Sequence, residues 1–322
     1  MRSRNNGESE SDMQEKTHGV MFHHFHGENH PRGQGSISAE TFAAMIVFLE
    51  SNYSILNARE YMERLIAGRL APKDICLTFD DALLCQVDIA LPILREKKIE
   101  AFFFVYSSPL KGDPDFLEIY RHFRTTAYES IDDFYGEFFL FAEKRNKTLY
   151  REAVNSFDEA TYLSAFPFYS TADRWFRYLR DLVLSKEDYA SIMLLMFESK
   201  AYDPLQVLGK LWMSDSHVEI LHKEGHLVGL HSYSHPTTLH TLTLEQQSAE
   251  YLDNYLHLQD VLGSPPISMS HPCGNYGAGT LDILKKMGIK IGFRSSLSTP
   301  DVVSNLEVPR QDHANVLVEM SK

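Results

Sequence analysis

Seven short apolar segments, near residues 19–25, 75–80, 101–107, 226–231, 267–270, 289–294 and 306–309, read as strands, and helical patterns stand between them. Phe42, Met45, Ile46 and Leu49 keep a helical period, and Gln86 to Lys97 reads as a second helix. Ser216 to Glu219 and Thr243 to Gln246 have capping-box spacing, and Leu281, Leu284 and Met287 form a stripe that stops at Gly288. A strand that is followed each time by a helix can return only to a parallel neighbour, so the alternation predicts an α/β fold around a parallel sheet. A length of 322 residues allows two domains, but barrels of this kind run to about 250 residues as one, and a single elaborated domain over 19–322 is expected. Residues 1–18 are rich in Ser, Glu, Asn and Gln, lack an apolar leader core, and read as a disordered tail.

Two of the segments end in residues with chemistry. Ile75-Cys76-Leu77-Thr78-Phe79 runs into Asp80-Asp81, and pleating turns adjacent carboxylates in different directions, so that one can bind a metal while the other acts as a base. His226 to Leu230 runs into His231-Ser232-Tyr233-Ser234-His235-Pro236, two imidazoles four residues apart ahead of a proline that stops an ordinary helix. Each element alone has a plainer reading: an Asp pair after a strand is usually turn or cap chemistry, and in a chain with 15 histidines such spacings arise by chance. Together, two His and one Asp give three ligands with an open position, the arrangement of a catalytic zinc, although the same donors suit non-haem iron. In a parallel barrel the strand ends that carry Asp80, Asp81, His231 and His235 converge on the C-terminal rim.

Thr78-Phe79-Asp80-Asp81 followed by His231-Ser-x-x-His235 resembles the motifs of the polysaccharide deacetylases, the NodB-homology group of carbohydrate esterases (family four type). Met21-Phe22-His23-His24-Phe25 resembles the opening strand of that family, and Ala90 to Leu94 and Ala101 to Val105 resemble the helix and strand after its Asp pair. Leu221 to His226, Ser270-His271-Pro272-Cys273-Gly274 and Leu306-Glu307-Val308-Pro309-Arg310 resemble its later segments, so the similarity covers 19–109 and 213–316 in the family's order. The resemblance implies an irregular (β/α)7 barrel of the polysaccharide deacetylase type and zinc as the divalent metal. It implies Asp81, His231 and His235 as ligands, Asp80 as general base, and Pro272, Gly274 and Tyr276 against the substrate.

Three positions depart from the family pattern. Ala82 replaces the glycine that usually follows the Asp pair, and Ser270 and Cys273 stand where an arginine that orients the base and a tyrosine are common. Arg310 is the candidate substitute, because a guanidinium holds a carboxylate bidentately and keeps it ionised. The family's late Leu-x-His acid is missing, and His23 and His313 are the available stand-ins.

Between Leu110 and Met213 the barrel pattern gives way to helical sequence with more than half of the chain's aromatics, including Trp175 and Trp212. This insertion reads first as a helical subdomain with its own aromatic core; a lid or sugar platform and a homo-oligomer interface are the other readings. A net charge of −13, from 31 basic and 44 acidic residues with no basic run, excludes nucleic acid and anionic membrane as main partners. No stretch is apolar enough for a membrane span, and Cys76, Cys85 and Cys273 suggest no disulfide framework, so a cytoplasmic location is expected. The function expected is a metal-dependent N-deacetylase acting on an N-acetylated sugar, in polysaccharide or glycan precursor synthesis. The alternatives are a degenerate barrel that binds sugar or metal without turnover, and an amidohydrolase for a non-sugar amide or imide.

Overall fold

The computed structural model describes residues 17–163, 169–297 and 304–322. The tail expected over 1–18 lies outside the described residues except at 17 and 18, and His18 already belongs to the first strand. The chain divides into two compact units, one formed by Met1–Asp115 with Leu208–Lys322 and the other by Phe116–Val207.

The first unit is built on strands β1 (His18–Phe22), β2 (Ser54–Ile55), β3 (Asp74–Phe79), β4 (Phe102–Val105), β5 (Leu227–Leu230), β6 (Ser268–Ser270), β7 (Ile291–Phe293) and β8 (Arg310–Asp312). All pairings are parallel, in the order β7-β6-β5-β4-β3-β1-β8, with the two-residue β2 set beside β3 off this path. The ring nearly closes because the chain leading into β8 returns to β7: Val308 bridges Phe293 and exchanges backbone bonds with Gly292 and Arg294. Two residues later Arg310 pairs with Gly19 of β1. The expected irregular (β/α)7 barrel is therefore the fold observed, with the last strand displaced a few residues past 306–309.

Helices α1 (Ala39–Asn52), α2 (Ala58–Ile66) and α3 (Leu91–Lys97) connect the early strands, α3 being preceded by a π-helical turn over Gln86–Ala90. Alternation along β3 sends Ile75, Leu77 and Phe79 to one face and Cys76, Thr78 and Asp80 to the other. Phe79 stacks on Phe103 at 4.7 Å and packs with Phe22 and Phe42. Cys76 joins Phe102, Phe104, Ile291 and Phe293 in a buried cluster that Tyr61 and Met62 of α2 complete. Ordinary apolar burial of this kind contributes about 25 cal/mol per Å2 removed from water.

The second unit holds α4 (Phe116–Thr126), α5 (Ile131–Arg145), α6 (Lys147–Ser156), α7 (Thr171–Tyr178) and α8 (Lys186–Ser199). Serines at 130, 170 and 185 cap three of these helices by accepting from the backbone of the third residue on. Phe123 meets Phe197 edge-on at 4.7 Å and Phe138 meets Phe176 at 4.9 Å, so this unit buries an aromatic core of its own. The unit is shorter than the insertion expected from sequence: Trp212 belongs to the barrel unit, after α9 (Leu208–Leu211). Next come α10 (Asp215–Lys223), α11 (Leu244–Leu262), α12 (Ala278–Lys286) and α13 (His313–Met320). The box opening α10 uses Ser214 with His217 instead of the Ser216 spacing, whereas Thr243 and Gln246 form the box that opens α11. Among the described residues no helix is long and apolar enough to cross a membrane.

Close packing beside the motifs occurs at Gly229 of β5, where an added Cβ would collide with the Ser268 carbonyl and hydroxyl of β6. Gly229→Ala is expected to destabilise the protein by about 1 to 3 kcal/mol, the usual range for overpacking. A lower urea midpoint at an unchanged slope would show it, and an unchanged midpoint would contradict this packing.

Candidate metal centre

β3 ends at Phe79, and Asp80 keeps the ladder one residue further by donating its N–H to the Phe22 carbonyl at 3.1 Å. Its side chain lies on the interior face, where it is 2% exposed and meets Arg310, itself 1% exposed. The guanidinium grips it at both ends, Nη1 to Oδ1 and Nη2 to Oδ2, each at 2.7 Å. The remaining guanidinium protons go to Thr78 Oγ1 at 3.2 Å, Ser270 Oγ at 2.7 Å and the Arg294 carbonyl at 2.8 Å. Ser270 in turn donates to Asp80 Oδ2 at 3.2 Å, so the serine that replaces the family's usual residue belongs to the network around Asp80. Burial opposes ionisation of Asp80, but the charge and hydrogen bonds of Arg310 outweigh it and hold the carboxyl below its ordinary value. Gln86, at the start of the π turn, donates to the carbonyls of Asp80 at 2.6 Å and His23 at 2.9 Å, which ties the ends of β3 and β1 together.

Asp81 leaves the sheet with φ 75 and is followed by Ala82 with φ 51, left-handed backbone that costs a residue with a Cβ about 1 to 2 kcal/mol. The glycine usual at position 82 would remove part of that cost. Here the turn is pinned from outside: Met213 donates to the Ala82 carbonyl at 2.8 Å, and Leu83 bridges Trp212. Trp212 also donates to the Tyr106 hydroxyl at 2.5 Å, and the Tyr106 ring packs 5.4 Å from that of His235.

The turn carries the Asp81 carboxylate to the two imidazoles. Oδ1 lies 3.3 Å from His231 Nε2 and 3.5 Å from His235 Nε2, and one donor atom from each of the three residues falls within 4.8 Å of the others. His231 Nδ1 lies 2.9 Å from the Ser270 carbonyl, which can only accept, so that nitrogen bears the proton and Nε2 offers its lone pair to the centre. Oδ1 of Asp81 is buried and has no hydrogen-bond partner. A carboxylate oxygen and an imidazole lone pair turned toward each other repel unless positive charge sits between them, and buried polar atoms without partners are rare. Burial opposes the charge on Asp81, and His235, His231 and His23 outweigh it when they carry a second proton, holding the carboxyl far below its usual range. Two imidazoles and one carboxylate fit a divalent ion with an open position, and are the donors zinc takes in catalytic sites.

The other expected residues distribute unevenly. His23 follows β1 with its Nε2 3.9 Å from Asp81 Oδ2 and its side chain 26% exposed, at the edge of the cluster. His313 points elsewhere: its Nε2 donates to the Gly35 carbonyl at 3.0 Å, its ring stacks on Phe22, and its acidic neighbour is Asp312 at 3.4 Å. Pro272 and Gly274 form a short turn directly after His271, and Gly274 at φ 68 leaves no room for a Cβ beside the Ser295 hydroxyl. Tyr276 donates to Glu307 at 3.1 Å and stacks on His271 at 4.2 Å. Sequence reading missed Gln86, Ser270, Tyr106 and Trp212, whose partners, apart from the Asp80 carbonyl that Gln86 holds, lie far along the chain and leave no local pattern.

The sequence profile of the family described as polysaccharide deacetylase matches residues 197–292, the stretch that contains His231 and His235. Over that stretch the profile agrees with the resemblance read from the motifs. No curated protein matches the chain. Among solved structures, the Streptococcus pyogenes deacetylase PplD in complex with acetate superimposes with a TM-score of 0.52 at 15% identity, over 92% of this chain and 91% of that one. IcaB from Ammonifex degensii gives 0.53 at 16% identity over 91% and 90%. A de-N-acetylase from Aggregatibacter actinomycetemcomitans gives 0.52 at 12% identity over 91% and 93%. At these identities the likeness concerns the fold.

Removing Arg310 would strand the Asp80 carboxylate in the barrel interior. Arg310→Met is expected to cost about 3 to 5 kcal/mol, the penalty for breaking a buried pair. The double variant Asp80→Asn with Arg310→Met should recover part of it. Equal denaturation midpoints for Arg310→Met and the unaltered protein would show that the pair does not bear on stability.

Proposed function

We propose that this protein is a metal-dependent carbohydrate deacetylase that removes the acetyl group from an N-acetylated sugar. The observation that supports it best is the unpartnered, buried Oδ1 of Asp81 facing Nε2 of His231 and His235, beside a second carboxylate kept ionised by Arg310. The family profile over 197–292 and the fold shared with deacetylases agree with this reading.

Asp81, His231 and His235 would hold the ion, with zinc the best match to the donors. When bound, it supplies Lewis-acid polarisation of an acetamide carbonyl and lowers the pKa of water at the same centre. Asp80 is the general base that takes a proton from the attacking water; its Oδ2 lies 3.8 Å from His231 Nε2 and so borders the same space. Arg310 and Ser270 keep that carboxylate in one orientation and in its ionised form, which a base requires. His23, partly exposed and near Asp81, is the group placed to return a proton to the departing amine, in preference to His313, whose Nε2 is committed to Gly35. Acetate and the free amino sugar are the products. Pro272, Gly274 and Tyr276 are assigned to the substrate side of the rim. A barrel that only binds sugar or metal would have no use for an ionised carboxylate buried next to the ligands at such a desolvation cost.

The test separates the two aspartates. Asp80→Asn should retain zinc by elemental analysis and lose roughly 100-fold or more in acetate release from a chitooligosaccharide. His235→Ala should fold and lose most of the metal. Full activity in both variants, or metal content unaffected by His235→Ala, would refute the assignment.

A further inference from the structure

The two histidine ligands lie in a loop that the sheet itself does not hold. β5 stops at Leu230, and Ser232 and His235 both take left-handed backbone, with φ 63 and 53. The loop's backbone is held instead by one face of α11. Glu250 accepts from the N–H groups of Tyr233 at 3.0 Å and Ser234 at 2.8 Å, and from the Ser234 hydroxyl at 2.6 Å. One turn further along, Asn254 accepts the His231 N–H on Oδ1 at 2.9 Å. Its Nδ2 donates to the Val105 carbonyl at 2.9 Å and to Ser107 Oγ at 2.7 Å. The Ser107 and Ser108 N–H groups close the circuit by donating to the Tyr233 carbonyl at 3.0 and 2.8 Å.

Behind Asn254 the chain of bonds continues to the surface with a single direction. Asp215 can only accept, so His257 donates Nε2–H to its Oδ1 at 2.9 Å and leaves Nδ1 as an acceptor. Ser107 then gives its hydroxyl proton to that Nδ1 at 2.7 Å and keeps a lone pair for the Asn254 amide. The Val105 carbonyl, which can only accept, and the order of donors through Ser107 both place Nδ2 on that side, and so turn Oδ1 to the N–H of His231. Asn254 and Ser107 are fully buried and His257 nearly so, and none touches Asp80, Asp81 or an imidazole of the centre in any bond described above.

We propose that Asn254, held in one amide orientation by the Val105 carbonyl and the Ser107–His257–Asp215 relay, is a positioning residue that sets the His231–His235 loop in its metal-binding conformation. The proposal rests on the metal reading given above for its consequence, though the ordering of the loop itself does not depend on it. A Ser-His-Asp sequence of contacts otherwise suggests a nucleophile. Ser107 is closed off from solvent and its lone pair is engaged by Asn254, which makes it a structural link instead.

The experiment compares Asn254→Leu, Ser107→Ala and Ser107→Thr with Gln247→Leu in the full chain. Gln247 lies on α11 and is buried as well, but it bonds Leu242 and Thr280, away from the loop, and serves as the control. Zinc affinity is read by competition with a chromophoric chelator, and loop order by amide hydrogen exchange of His231, Tyr233 and Ser234 in the metal-free protein. Asn254→Leu should lower zinc affinity by about 10- to 100-fold, the range for residues that orient ligands, and speed exchange in the loop while Leu227–Leu230 stays protected. Ser107→Ala should move both readouts the same way by less, and Ser107→Thr, which keeps the hydroxyl, should restore them. Unchanged loop exchange in both Asn254→Leu and Ser107→Ala would overturn the proposal, as would equal losses in Gln247→Leu. If the unaltered protein binds no zinc, the metal reading fails alone, and the exchange measurement still decides the positioning role.

Discussion

The bidentate contact between Arg310 and Asp80 is the constraint on which the barrel and its centre both depend. Arg310 starts β8, Asp80 follows β3, and β1 lies between them in the sheet. The guanidinium must therefore cross beneath β1, and it can do so because Gly19 presents no side chain there: an added Cβ would stand 3.2 Å from Arg310 Cγ, Thr78 Cγ2 and Phe293 Cε1. A charged pair in this place recovers its desolvation cost only through full hydrogen bonding, which Thr78, Ser270 and the Arg294 carbonyl supply. The same bonds link β8 to β3, β6 and the end of β7, so closing the ring and orienting the carboxylate are one event.

With Asp80 fixed inward, Asp81 has to leave the sheet on the other side of the chain, and the positive φ at 81 and 82 is the consequence. Left-handed backbone recurs at Ser232 and His235 in the loop that supplies the imidazoles. Strain of this sort persists where surrounding bonds over-determine it, and it gathers at functional sites. Here the over-determination has visible sources: Met213 and Trp212 on one loop, Glu250 and Asn254 on the other. What the cluster lacks is positive charge between Asp81 Oδ1 and the two Nε2 atoms, and a divalent ion is the simplest group to supply it.

Strand and helix alternation, Asp80-Asp81 and His231 to His235 were legible in the sequence because each is a local pattern: apolar periodicity, then chemistry at a strand end. Arg310 could be named as a partner of Asp80 from its chemistry, but its reach depends on Gly19 and on the short β8, which no local pattern shows. Ser270 looked like a loss, since a serine at that position says nothing of the two bonds it makes to Asp80 and Arg310. Glu250, Asn254 and His257 are spaced as one face of α11, yet polar residues at helical spacing read as a solvated surface until the fold lays that face against the His231–His235 loop. The extent of the insertion was overdrawn for a related reason. Trp212 is aromatic like its predecessors, but its indole bonds Tyr106 in the barrel.

X-ray absorption at the zinc edge of the loaded protein tests the central claim most directly, because it reads the ligand atoms without a substrate. Asp81, His231 and His235 predict a shell of nitrogen and oxygen at about 2.0 to 2.2 Å with the multiple scattering of two imidazoles. His231→Ala should remove one of the two. A sulfur shell at about 2.3 Å, which Cys273 would give, or a spectrum with no imidazole contribution, would contradict the account.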